Sequence, residues 1–231
     1  MNLRILQLLE GARAATGTTV IIDVFRAFSV EAYFFSQGAR VIYPIGNSDL
    51  AYRLKRDDPS AILAGERGGK IMPGFDVGNS PSELLKLDCA GKTVVHTTSA
   101  GTQGIANAVN AEEILGCSLV NAAATAEYLR RSGSEDISLV CMGLAAEEET
   151  EEDTLCARYI RALLLGETLD MPKEIESLRY TSGAKFFDPA RQDAFPMPDF
   201  ALCTALDRFP FAMRLKKQSD GIHRMEKIEI A

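Results

Sequence analysis

The chain has 231 residues, of which 46% are hydrophobic and 25% charged, an ordinary balance for a globular protein of one domain or two small packed halves. Its net charge of -7 excludes the basic footprint of a nucleic-acid binder and argues against an anionic membrane surface. It leaves room for a small anionic substrate, since a pocket can be basic inside an acidic protein. No run of about 18 apolar residues is present to form a membrane-spanning helix, and the opening stretch MNLRILQLLEGARAATG lacks the apolar core of a signal peptide. Five scattered cysteines, Cys89, Cys117, Cys141, Cys156 and Cys203, form no C-x-x-C pair, and two histidines are too few for a zinc cluster. They read as the reduced, mostly buried thiols of a cytoplasmic protein.

Short β-rich runs alternate with helical patterns. TTVIID (18–23) predicts a buried strand, and RAFSVEAYFFSQGAR (26–40) a helix that stops near Gly38. VIYPI (41–45) predicts a strand, NSDLAYRLKRDD (47–58) a helix with a capping residue at its start, and SAILAG (60–65) a third strand. A long irregular stretch follows, GERGGKIMPGFDVGNSP (65–81), and loops of that length in compact domains are usually functional or disordered. KTVVHTT (92–98) predicts a strand, TQGIANAVNA (102–111) a helix, EEILGCS (112–118) a strand, NAAATAEYLRRSG (121–133) a helix and DISLVCMG (136–143) a strand. EEDTLCARYIRALLLGE (151–167) predicts a helix with Leu155, Tyr159, Ile160, Leu163 and Leu164 on one side, and Thr150 with Asp153 fits a capping pattern. From Thr168 the pattern is less regular, with a helix expected at 199–209 and an edge strand or tail at 222–230 that is free to pair with a second copy.

This alternation predicts an α/β fold, three-layer α/β/α with a mostly parallel or mixed sheet. The whole chain, 1–231, reads as one α/β domain or as two packed halves of about 1–88 and 89–231. Such sheets hold ligands outside the carboxyl ends of their strands, which directs attention to the polar residues there. Asp23 and Arg26 close the first strand; an aspartate in that place needs Arg26, a metal ion or backbone amides as a partner. TTSAGTQG (97–104) offers hydroxyls and amides at a helix start, a natural anion site, yet matches neither a Walker A loop nor a dinucleotide fingerprint. The acidic run Glu147–Asp153 is mostly a solvated first turn, with Asp153 best placed to reach a divalent cation. His96 reads as a satisfied, partly buried histidine, Cys156 as core, and His223 has no assigned role.

Two common phosphatase chemistries fail on spacing. A cysteine phosphatase needs Cys-x5-Arg, but Glu147 follows Cys141 and Ala162 follows Cys156 at that offset. An aspartyl-phosphate enzyme needs Asp-x-Asp, but Asp23 is followed by Val24 and Phe25. Metal-assisted hydrolysis remains compatible.

Four segments, VIIDVFRAFS, AGERGGKIMPGFDVGNSP, KTVVHTTSAGTQG and EEDTLCA, occur in an order and spacing that resemble the 2-phosphosulfolactate phosphatase family over about residues 17–165. The resemblance implies an α/β fold and Mg2+-dependent hydrolysis of 2-phosphosulfolactate to sulfolactate and phosphate, a step of coenzyme M synthesis. In that light Mg2+ is expected on Asp23 with one or two of Glu66, Asp76 and Asp153. Arg26 and Arg67 are expected to share the catalytic work with Asp23 and Glu66, because an arginine fork meets phosphoryl and sulfonate oxygens in pairs. Thr97, Thr98, Ser99, Gly101 and Thr102 are expected to bind the substrate's oxygens, with Asn79 and Ser80 orienting the loop or the substrate. A non-catalytic binder of a small phosphate or sulfonate is the alternative. Metal-dependent phosphate release separates the two.

Overall fold

The structure, a computed structural model, describes residues 1–219 and 221–230. In chain order it runs β1 (Asn2–Gln7), α1 (Leu8–Ala14), β2 (Gly17–Ile22), α2 (Ala27–Ser36), β3 (Val41–Pro44) and α3 (Ser48–Asp57). Then come β4 (Ile62–Arg67), β5 (Lys70–Ile71), α4 (Pro81–Leu84), β6 (Thr93–Thr97), α5 (Gly101–Asn107) and β7 (Ala111–Cys117). The remainder is α6 (Ala122–Ser132), β8 (Asp136–Cys141), α7 (Glu151–Leu165), α8 (Met171–Leu178), α9 (Met197–Cys203), β9 (Phe211–Lys216) and β10 (Arg224–Glu229).

The ten strands hydrogen-bond in the order β1-β8-β2-β7-β9-β10-β3-β6-β4-β5. β1, β8, β2 and β7 are mutually parallel, and so are β3, β6 and β4. The antiparallel hairpin β9–β10 joins the two sets, so they run in opposite senses along the sheet. Its joints are short: β7 meets β9 through Leu115 and Gly116, and β10 meets β3 through Met225 and Ile42. The carboxyl ends of the two sets nevertheless meet, since Gly101 after β6 stands against Asp23 after β2.

Strand alternation makes the layers. Val20 and Ile22 of β2 face one core and Ile21 the other; Ile137, Leu139 and Cys141 of β8 face the first and Val140 the second. Ala122, Ala126 and Leu129 of α6 and Leu155, Cys156 and Ile160 of α7 close the first core. Helices α1, α2 and α5 close the second, giving the expected three layers in a mixed sheet. Each large side chain buried there contributes about 1.5–3 kcal/mol. α2 is apolar nearly all round, and Ala27 to Phe35 are all buried, because α4, α5 and α9 cover the sides that the sheet does not.

Three expectations need revising. Residues 222–230 do not end in an open edge: β10 pairs with β9 on one side and β3 on the other. Arg224 and Glu226 sit on the solvated face that an antiparallel strand can keep, while Met225 is buried on the opposite face, which Lys227 shares. The helix expected at 199–209 is α9, which ends at Cys203 and gives way to a turn with Asp207 at φ 53°. Asn47 does cap α3, accepting from the amides of Asp49 and Leu50, but Thr150 makes no capping hydrogen bond at α7.

Candidate active site

The carboxyl ends of β2, β4, β6 and β8 converge on a cavity of about 290 Å³. Asp23 and Arg26 come from the turn after β2, Glu66 from β4, Ser99 and Ala100 from the turn after β6, and Gly143 to Ala145 from the turn after β8. The stretch 65–81 supplies Gly68, Gly69 and Asn79. Its first part is not irregular: β4 and β5 form a hairpin closed by Gly68 and Gly69, at φ 61° and 81°, a turn that glycine makes without strain. The second part folds back along β4, where Gly65 donates to the Val77 carbonyl.

Each carboxylate is held by backbone amides. Asp23 accepts from the amide of Ala27 at 3.0 Å, which fixes it at the mouth of α2. Gly101 must be glycine here, since a Cβ would stand 2.7 Å from the Cβ of Ala27 and 2.9 Å from Oδ2 of Asp23. Glu66 accepts from the amides of Ser99 and Gly69, both at 2.7 Å, and from the Ser99 hydroxyl. Burial, with Glu66's charge adding to it, pushes Asp23 up to about 6, against the pull of the Ala27 amide. Arg26 is 3% exposed and donates to Asp199 at 2.8 Å, while the Phe195 ring lies 5.0 Å from its guanidinium. The same Asp199 accepts from Ser80 and from the Ser82 amide, so α9 pins both the arginine and the far wall of the loop.

Several expected residues serve elsewhere. Asp76 takes the Leu63 amide and Lys55 on the outside of the loop, away from the cavity. Arg67 points back to the Glu66 carbonyl and the Thr97 hydroxyl and does not line the cavity. Thr98 and Thr102 satisfy each other's amides as a cap for α5, and Ser80 caps α4. Asp153 places one oxygen on the Val24 amide and the other on the Gly143 amide, both at 2.8 Å, clamping the ends of β2 and β8 together. Burial, with the charges of Glu152 and Asp23 added, raises its proton affinity far above the usual range.

Three participants were not visible as such in the sequence. Asp199 and Arg191 come from the region read as irregular, and Arg191 lines the cavity with its guanidinium 4.6 Å from the Phe195 ring. Glu152, 2% exposed, leaves Oε2 without a partner, and its charge reaches both Asp23 and Asp153. A larger cavity of about 710 Å³ opens beside Gln103, Lys217 and His223, but no carboxylate lines it among the described residues.

With Arg26 neutralised by Asp199, the site's carboxylates outnumber its free cations. An anionic substrate therefore needs a counter-cation. Among the described residues no three His, Cys, Asp or Glu side chains form a ready metal cage. Mg2+ needs few protein ligands, however, and keeps its waters. Asp23 and Glu66, which both line the cavity, fit that demand.

Carboxylates and arginines gathered at strand ends, without a cysteine or aspartyl nucleophile motif, are compatible with a phosphoric monoester hydrolase of the α/β type. Comparison with known proteins makes this specific: the profile of the 2-phosphosulpholactate phosphatase family matches residues 4–217, and the chain belongs to that family. A probable 2-phosphosulfolactate phosphatase of Bacillus subtilis is 30% identical over 208 residues, 90% of each chain. One from Caldicellulosiruptor saccharolyticus is 42% identical over 150 residues, 63% of this chain and 62% of its own. One from Thermus thermophilus is 38% identical over 147 residues, 62% of this chain and 60% of its own.

Proposed function

We propose that the chain hydrolyses 2-phosphosulfolactate to sulfolactate and phosphate with Mg2+ bound at Asp23 and Glu66. The observation that carries this reading is the pair of buried carboxylates facing one cavity with Arg26 and Arg191 on its walls. Mg2+ held there supplies the positive charge that the acidic wall lacks and polarises the phosphoryl oxygens. Glu66 is held still by two amides and a hydroxyl, so its remaining lone pairs are preorganised. Arg191 presents a free fork to the substrate's oxyanions, while Arg26, locked to Asp199, orients the group bound beside it. The cavity of about 290 Å³ suits a small acid. Formation of sulfolactate would suit a step of coenzyme M synthesis, which is what the resemblance implies.

The test is phosphate release from 2-phosphosulfolactate and from related phosphorylated hydroxy acids, with Mg2+ and then with EDTA. Turnover that needs Mg2+ and disappears in Asp23→Asn and Glu66→Gln supports the reading. Turnover unchanged by EDTA removes the metal, and unchanged kcat/KM in both folded variants removes the site.

A further inference from the structure

A buried file of three polar side chains stands behind the cavity wall. Glu31 of α2 and His96 of β6 are both 0% exposed, with Glu31 Oε1 2.9 Å from His96 Nδ1. His96 Nε2 lies 3.2 Å from Oδ1 of Asn79, which is 5% exposed and lines the cavity. Neither the carboxylates' amide contacts nor the Arg26–Asp199 pair uses these groups. A glutamate inside an apolar helix is costly, and this one leaves Oε2 buried without a partner. So placed, it needs a purpose.

Proton counting supplies one. An amide oxygen only accepts, so Nε2 of His96 carries a hydrogen. A 2.9 Å contact between Nδ1 and Oε1 requires a second proton between them. The pair thus holds two protons and no net charge, which is what an orphaned carboxyl oxygen tolerates best. A free amide can present either end to its surroundings. Here the Nε2 hydrogen can donate only to the oxygen end, leaving Nδ2 of Asn79, which has no protein partner among the described residues, on the cavity side. With the other orientation Oδ1 would face and repel an anion.

We propose that His96, held by Glu31, is a positioning residue that fixes the Asn79 amide so that its N–H donors meet an oxyanion of the bound substrate. The inference rests on the reading of this cavity as an anion site. Three measurements test it. First, inorganic phosphate is titrated into 15N-labelled protein while the Asn79 side-chain signals, assigned through Asn79→Ala, are followed. Phosphate shifts them in the native protein and in His96→Gln, which keeps a donor for Oδ1, and only at about tenfold higher concentration or more in His96→Leu. Second, His96→Leu raises KM about tenfold to a hundredfold while kcat changes little, the signature of lost binding and not of lost chemistry. Third, the double variant Asn79→Ala/His96→Leu is no worse than Asn79→Ala alone, because His96 acts through Asn79.

Additive losses in the double variant overturn the inference, as does an undiminished Asn79 response in His96→Leu. Where His96→Leu does not fold, Glu31→Leu carries the same test, since it frees the ring to take the other tautomer. If the native protein releases no phosphate yet its Asn79 signals respond to phosphate through His96, the hydrolytic reading falls and the positioning role stands.

Discussion

Replacing Asp23 by asparagine isolates what it costs to keep a carboxylate in the cavity wall. In the metal-free protein burial moves this group from 3.8 to about 6, with the Glu66 charge adding to the rise. At ~1.4 kcal/mol for each tenfold change in proton affinity, ionising Asp23 costs the fold about 3 kcal/mol. The sign follows from which state binds the proton more tightly. Below 3.8 the group is protonated in the folded and unfolded chains alike and costs nothing. Stability falls as pH rises toward about 6, and above that the whole cost is present. Asparagine is neutral throughout and keeps an oxygen for the Ala27 amide. Asp153 loses one of the charges that raise it, which widens the difference. Urea unfolding in EDTA at a series of pH values reads this directly. Between about pH 3 and pH 7 the native protein is expected to lose about 3 kcal/mol relative to Asp23→Asn, which is the more stable protein at neutral pH and has no turnover. Parallel stability curves for the two would refute the reasoning.

Other substitutions test the remaining walls. Asp199→Ala leaves Arg26 buried without its partner and Ser80 without its acceptor; a loss of about 3–5 kcal/mol in urea unfolding is expected, and a loss below about 1 kcal/mol would show that the pair carries little. Gly101→Ala drives a methyl group into Ala27 and Asp23, so turnover should drop about tenfold or more while unfolding free energy falls by only about 1–3 kcal/mol. Arg191→Ala should raise KM about tenfold at unchanged melting temperature, because its side chain is exposed and lines the cavity; an unchanged KM would remove it from the substrate's contacts. Asp76→Asn should leave Mg2+ dependence as it is, since this carboxylate holds Lys55 and the Leu63 amide outside the cavity.

The sequence carried the α/β alternation because buried strands such as Thr18–Ile22 and capped helices such as Ser48–Asp57 obey local rules. It also carried the strand ends, since Asp23, Glu66 and Ser99 stand where parallel strands stop. What it could not carry was which donor each carboxylate meets. Asp153 looks like a cation ligand in a helix's first turn, yet it reaches across to Val24 and Gly143, a pairing that only the neighbouring β2 and β8 decide. Asp199 lies 173 residues from Arg26 in sequence, and no periodicity announces that contact. The hairpin strand β9 did leave a signal: Phe211, Met213 and Leu215 alternate with Ala212, Arg214 and Lys216, and the first three face the core beside α2. β10 was obscured by its charges, which fall on both of its faces and say nothing of its two hydrogen-bonded neighbours.

That hairpin has a consequence for how the protein is made. β9 and β10 leave the ribosome after the other eight strands, but they belong in the middle of the sheet. Until about residue 229 has emerged, β7 and β3 each present an unfilled edge, and such edges recruit whatever strand comes near. From the completion of β8 at Cys141 until the hairpin emerges, the two sets of strands must pair neither with each other nor with a neighbouring copy. A chain halted before Phe211 keeps every residue that lines the cavity, yet lacks the hairpin that joins the two sets of strands.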